Sequence, residues 1–245
     1  MGYSYLCYLF LLLQIVPEYD SYSIVGGDPV KIEEVPFMAI YKLKNMAFGC
    51  GASIVNERFV VSAAHCTHRA NLKKMEVVVG TDKKGEGQHY DIMAAYQHPK
   101  FNFIPLDYDV IVLKLAKELV FSSKVQPVKI AGPNTVIDEG SVFSVTGKSF
   151  LQVDSGSPVL LQVKVPYVNN VKCNIAYEGI ITDRMICAGE EGKDGCYGDS
   201  GGPLIYKNTL IGIVSFGNDC GKKGYPGVYT RVTAVRGFID EMLTK

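Results

Sequence analysis

From Ile24 onward the chain is a succession of short apolar runs, rich in Val and Ile, each closed by Gly, Pro, Asn or Asp. Examples are Phe37–Leu43, Ser53–Ser62, Glu76–Gly80, Val110–Leu115, Ser141–Thr146, Val159–Val165, Leu210–Phe216 and Gly227–Val232. β-Branched runs of this length fit strands, whose side chains pack well on a pleated surface. Turn clusters at Asp82–Gly87, Ala131–Asn134 and Asn218–Gly224 separate them. Many short strands without a long helical pattern imply an all-β sandwich or barrel. A chain of 245 residues can bury a large core without a metal or cofactor. The stretch Lys124–Pro133 is the expected crossing point between two halves. One helix is expected, at the C-terminus, where Val235, Phe238, Ile239, Met242 and Leu243 recur at helical spacing.

The first residues read differently. Leu6 to Val16 form an apolar run of 11, too short to cross a bilayer and right for the core of a signal peptide. Residues 1–16 are therefore expected to be a signal peptide, with cleavage between 16 and 23 and a short propeptide over 17–23. The alternative is a buried N-terminal strand or helix. Removing this segment takes away Cys7 and leaves Cys50, Cys66, Cys173, Cys187, Cys196 and Cys220. An even number fits a disulfide framework formed in an oxidising compartment, so a secreted, extracellular protein is expected. The sequence alone leaves the pairing open. Acidic and basic side chains balance at 25 each. With no basic run, neither a nucleic-acid nor a membrane partner is expected.

Three motifs carry chemistry. The first is Gly198-Asp199-Ser200-Gly201-Gly202-Pro203. A serine hydroxyl is a weak nucleophile until a base takes its proton, and it needs donors for the oxyanion it creates. Flanking glycines let the backbone turn tightly and aim N–H groups at one point. The same residue types also make ordinary surface turns. The second motif, Val61-Ser62-Ala63-Ala64-His65-Cys66, places a histidine after a strand behind small residues. The third, Asp107-Tyr108-Asp109, leads into the apolar run from Val110. An aspartate entering a buried strand needs a partner, and a histidine N–H is a suitable one.

At these residues the chain resembles the trypsin-like (chymotrypsin-family) serine proteases, in motif content and in the order His, Asp, Ser. The resemblance runs from Ile24 to near the C-terminus. The segments Ile181–Ala188 and Gly224–Val232 are similar to those of mite digestive trypsins. The resemblance implies a peptidase domain over 24–245. This would hold two antiparallel six-stranded β-barrels, roughly 24–125 and 126–234, and a C-terminal α-helix over 235–245. It implies Ser200 as nucleophile, His65 as general base and acid, and Asp109 as the group that orients His65. The backbone N–H groups of Gly198 and Ser200 would form the oxyanion hole. Asp194, six residues before Ser200, would floor a pocket for substrate Arg or Lys. Gly217 and Gly227 would leave that pocket open, and Ser215 and Gly217 would pair with an extended substrate. The implied disulfides are Cys50–Cys66, Cys173–Cys187 and Cys196–Cys220, each contributing about 2–4 kcal/mol. Partners would be protein or peptide substrates and protein inhibitors of proteases, with the enzyme a monomer. No cofactor is expected. The family's calcium loop would fall at Thr81–Gly87, where Asp82 and Glu86 are the only carboxylates. Calcium wants six to eight oxygens, so no metal is expected.

Several residues depart from the family pattern. Ile24-Val25-Gly26-Gly27 matches its activation sequence, in which a freed Ile24 amine would pair with Asp199, but Ser23 stands where zymogens carry Arg or Lys. Ser21 and Ser23 are small residues at −3 and −1, as at a signal-peptidase site. The chain has no tryptophan. Phe216 and Lys148 occupy two positions where tryptophan is usual, and Tyr197 would overhang the pocket mouth. Gly195 follows Asp194 where a serine is common, so a mild preference for Arg over Lys is expected. The alternative reading is a catalytically weak or inactive protein of the same fold that binds a protein partner.

Overall fold

The computed structural model describes residues 24–46, 49–67, 71–83, 85–148 and 160–245. Residues 1–23, which carry the expected signal peptide and propeptide, and His68 lie outside the described residues. After a two-residue strand, β1 (Asp28–Pro29), six antiparallel strands close the first barrel. They are β2 (Met38–Leu43), β3 (Cys50–Ile54), β4 (Phe59–Ser62), β5 (Met75–Val79), β6 (Gln88–Gln97) and β7 (Ile111–Leu115), in the ring order β2-β3-β4-β7-β6-β5. A short strand, β8 (Lys129–Ile130), lies in the crossing segment and pairs parallel with a strand of the second barrel.

That second barrel comprises β9 (Val142–Lys148), β10 (Leu160–Val168), β11 (Met185–Ala188), β12 (Pro203–Tyr206), β13 (Thr209–Phe216) and β14 (Gly227–Arg231). Its order is β10-β11-β14-β13-β12-β9, and pairing of β9 with β10 closes it. The all-β expectation and the two-barrel architecture hold.

The alternation of strand side chains explains how the two barrels share a boundary. Successive residues of a strand point to opposite faces. Tyr41, Ile54, Val60, Val77, Ile111 and Leu113 turn into the first barrel and pack as one buried cluster. Their strand neighbours Phe59, Val61, Val110 and Val112 face the other way and join the second barrel's core with Phe143, Val145, Leu204, Ile213 and Tyr229. Val61 pairs with Val112, so strands β4 and β7 lie side by side at the junction. The chain leaves β4 toward His65 and enters β7 from Asp109. The junction is thus where those two residues must meet.

The C-terminal helix, α2, runs Val232–Met242 and buries Val232, Val235 and Ile239. It begins earlier than the stripe from Val235 because Val232, one turn before, is itself fully buried. A second helix, α1 (Asn170–Ala176), was not anticipated from the pattern. It is under two turns long, and its Val171 and Ile175 are exposed, so no apolar stripe marks it. Its visible signal is Asn169, whose side chain accepts the Val171 N–H at 2.8 Å and caps the first turn. The three disulfides join Cys50–Cys66, Cys173–Cys187 and Cys196–Cys220.

Candidate active site

His65 sits on a single 3₁₀ turn, Ala64–Thr67, directly after β4. Its Nδ1 lies 2.7 Å from Asp109 Oδ2, and its backbone N–H donates to Asp109 Oδ1 at 2.9 Å. Asp109 is fully buried. A buried carboxylate is costly unless its oxygens are bonded, and here a further donor reaches the carboxylate while another holds the main chain. Ser215 Oγ donates to Oδ2 at 2.6 Å, and Thr230 Oγ1 donates to the Asp109 carbonyl at 2.8 Å. Both come from the second barrel, so residues of one barrel hold the aspartate that orients the histidine of the other. With Asp109 accepting at Nδ1, the proton stays there, and Nε2 is left to act as a base. Nε2 lies 3.7 Å from Cys66 Sγ, and no hydrogen bond from His65 to the Ser200 hydroxyl is formed among the described residues. Such contacts are often long before substrate binds.

Ser200 lies in a tight turn between the Cys196 disulfide and β12. Gly198 has φ +93°, a left-handed conformation that other residues adopt only under strain. The N–H groups around it divide in a telling way. Asp199 donates to Cys196 O, Gly201 to Val214 O, and Gly202 to Asp199 O. Those of Gly198 and Ser200 have no acceptor among the described residues. Two unbonded N–H groups on one turn are the kind of donor pair that can meet an oxyanion. The Ser200 carbonyl accepts from Gly51 N at 2.8 Å and so ties this turn to the first barrel.

Ser200 also lines a cleft of about 170 Å³ together with Asp194, Ser215, Phe216, Gly217 and Gly227. Asp194 lies at its buried end, 2% exposed. Its Oδ2 accepts from Gly221 N at 3.3 Å, while Oδ1 has no hydrogen-bond partner. Gly227 is required beside it, since a Cβ there would come within 2.5 Å of Asp194 Oδ1. Burial pushes the Asp194 carboxyl up to about 7, against the hydrogen bonds from Gly221 and Gly195. Gly195 lines the cleft without a side chain. Phe216 forms an apolar wall and meets Tyr177 edge-on at 5.7 Å. Tyr197 is exposed at the rim.

Ile24 is buried in the core shared by the barrels. The next residue, Val25, exchanges two backbone hydrogen bonds with Asp194, at 3.0 and 3.3 Å. The start of the domain therefore grips the floor of the cleft. Asp199 is 1% exposed. Its Oδ2 accepts from Cys196 N at 2.8 Å, and Oδ1 has no hydrogen-bond partner. Burial pushes this carboxyl up to about 8.

With this geometry in hand, comparison with known proteins is decisive. The family model described as Trypsin matches residues 24–239. The chain belongs to the trypsin family. It is 40% identical to "Trypsin 5G1" of Aedes aegypti, an alignment covering 91% of this chain and 86% of that protein. It is 40% identical to the "Vitellin-degrading protease" of Bombyx mori, covering 90% and 86%. With "Trypsin II-P29" of Gallus gallus the identity is 36%, covering 91% and 90%. The protein is a trypsin-like serine protease.

Three residues of this trypsin-family cleft were not picked out from the sequence. Tyr177 donates its hydroxyl to Pro226 O at 2.8 Å and accepts from Asn218 N at 3.1 Å, so it staples the two walls of the cleft. Tyr229 reaches the cleft from β14 with a buried hydroxyl. Asp219, at φ +73°, brings a second carboxylate to the cleft. None belongs to a local motif. The Gly-Tyr-Pro-Gly-Val-Tyr segment was a signal for Tyr229 alone. Among the described residues, the one grouping of three potential metal-ligand side chains is Cys50, His65 and Cys66. Its two cysteines are bonded to each other, which removes the thiolates a metal needs. Among the described residues no helix is long and apolar enough to cross a membrane.

Proposed function

We propose that this protein is a secreted endopeptidase that hydrolyses peptide bonds after Arg or Lys through an acyl-enzyme on Ser200. Ser200 Oγ attacks the carbonyl carbon of the scissile bond while His65 Nε2 takes the hydroxyl proton. The oxyanion is met by the N–H groups of Gly198 and Ser200. His65 returns the proton to the departing amine, and the C–N bond breaks. Water then attacks the acyl-enzyme with His65 again as base, which releases the acid and restores Ser200. Asp109 holds the tautomer and balances the imidazolium charge. The observation that carries the specificity is Asp194: a buried carboxylate with one oxygen unbonded, at the end of the cleft that Ser200 borders. A guanidinium or ammonium entering that cleft supplies the missing donors.

A serine-directed fluorophosphonate tests the chemistry. The chain beginning at Ile24 is expected to be labelled covalently at Ser200, and His65→Ala is expected to abolish labelling. A folded, correctly processed chain that resists the reagent would support the partner-binding alternative. Specificity is read from a peptide library. Gly195 offers no hydroxyl to bind a lysine ammonium, whereas a guanidinium can reach Asp194 with two donors. A few-fold preference for Arg is expected, and equal or better cleavage after Lys would count against it.

Release of Ile24 is assigned to signal peptidase cutting after Ser23, given the small residues Ser21 and Ser23. N-terminal sequencing of protein secreted from a protease-deficient host checks this. A chain starting anywhere between Pro17 and Ser23 would mean that a separate activating protease is needed.

A further inference from the structure

The segment that delivers Asp109 has an anchor in the second barrel besides Ser215 and Thr230. Asp107, two residues upstream, accepts from Arg184 twice, from Nη2 at 2.5 Å and Nε at 3.2 Å. It also accepts from Thr182 Oγ1 at 2.9 Å and from the Tyr108 N–H at 3.1 Å. Side-chain exposure is 14% for Asp107 and 31% for Arg184, so this is a half-buried, two-pronged contact rather than a solvated pair. Burial alone would push the Asp107 carboxyl up, and the hydrogen bonds from Arg184 and Thr182 outweigh it and hold it below its ordinary range.

Between Asp107 and Asp109 stands Tyr108 at φ +54°, with Leu106 at φ +66° just before. A tyrosine in the left-handed region persists only where its surroundings over-determine it. Here the Arg184 guanidinium lies 5.2 Å from the centre of the Tyr108 ring, and His98 stacks on that ring at 4.5 Å. Arg184 therefore touches both residues that set the path of the backbone into Asp109. Its main chain is tied down, because Arg231 N donates to the Arg184 carbonyl at 2.8 Å, next to the Thr230 that holds Asp109.

We propose that Arg184 is a positioning residue for the reaction: through Asp107 and Tyr108 it holds, from the second barrel, the strained turn that aims Asp109 at His65 in the first. The inference rests on the proposed roles of Asp109 and His65. Its consequence is that this contact, together with those of Ser215 and Thr230, couples the alignment of the two barrels to the orientation of the histidine.

The test uses the chain beginning at Ile24. Arg184→Met keeps the apolar stem and removes the fork. A small misplacement of a catalytic group costs up to about 100-fold, so kcat is expected to fall about 10- to 100-fold. KM should stay within about twofold, since the cleft is untouched. The low-field proton resonance of the His65–Asp109 hydrogen bond should shift or broaden. Arg184→Lys, which retains charge without the fork, should recover part of kcat. Arg184→Met combined with Asp107→Asn should be no worse than the more damaging single change. If Arg184→Met leaves kcat and that resonance as in the parent, whatever its Tm, the contact is a staple and the inference is overturned. Should Arg184→Met not fold, Thr182→Val removes one donor to Asp107. A fall in kcat of about 2- to 10-fold is then expected, and an unchanged kcat overturns the inference. A parent chain that neither cleaves nor reacts at Ser200 would overturn the site reading beneath it, a result separable from an active parent with indifferent variants.

Discussion

Replacing Asp194 with Ser is expected to lower kcat/KM for substrates cleaved after Arg by about 30- to 4,000-fold, with far less effect after an apolar residue. The cleft proposed to receive the side chain ends on a carboxylate 2% exposed, with Oδ1 unbonded. A cation leaving water for that site loses its hydration. Only a charged, hydrogen-bonding partner restores what is lost. Removing one member of a buried charged pair costs about 2–5 kcal/mol, which converts to the range above. The buried floor adds a pH signature. Burial pushes the Asp194 carboxyl up to about 7, so below that pH the floor is neutral and a cation must displace a proton to bind. Affinity for a small amidinium ligand is therefore expected to fall as pH drops from about 8 to 6, with protons released on binding below about pH 7. Calorimetry in buffers of different ionisation enthalpy measures that release. Binding with no proton release at pH 6 would mean that the floor is already ionised and that the polar groups around Asp194 outweigh its burial.

Much of this was legible in the sequence because the chemistry is written in short local motifs. The turn of Ser200, the strand end of His65 and the strand start of Asp109 each sit beside a run whose alternation is plain. Val60 and Val61 illustrate it: neighbouring residues of one strand face two different cores, and both are apolar. What was not legible depends on contacts between segments remote in the chain. Arg184 and Asp107 are 77 residues apart, and nothing local to either signals the other. Tyr177 bonds Pro226 and Asn218 across 49 and 41 residues. Helix α1 was missed because its outward residues Val171 and Ile175 are apolar while its buried member is Cys173, which inverts the expected amphipathic pattern. Asp199 stands between these cases. Flanked by Gly198 and Ser200, it has the local look of a surface turn, and only the resemblance that pairs it with the Ile24 amine pointed inward; it is 1% exposed.

That burial sets up the second large effect. A chain that retains Ser23 ahead of Ile24 is expected to be up to about 100- to 4,000-fold less active than one beginning at Ile24. Asp199→Asn in the latter should cost a similar factor. Asp199 Oδ1 lies in the core without a hydrogen-bond partner, and Val25 is bonded on both sides to Asp194. An Ile24 with a free, charged amine brings to this region the cation that a buried carboxylate requires. A buried pair broken on one side costs about 3–5 kcal/mol, which bounds the shift between a well-formed and a disordered cleft. The two changes address one interaction, so combining them should cost little more than either alone. Stability against pH provides a check independent of activity. In the chain with Ile24 still blocked, the Asp199 carboxyl is pushed up to about 8 from an ordinary 3.8. Once unfolded, that chain gives up the proton near 4, whereas the folded form keeps it to about 8. The folded state thus binds more protons across that window, and its stability falls as pH rises through it. With the amine free, the carboxylate is paired while ionised, and the slope reverses: stability holds through neutral pH and declines in acid. Melting temperatures of the two forms between pH 5 and 8 should diverge. Parallel curves would show that Asp199 and the Ile24 amine are not linked.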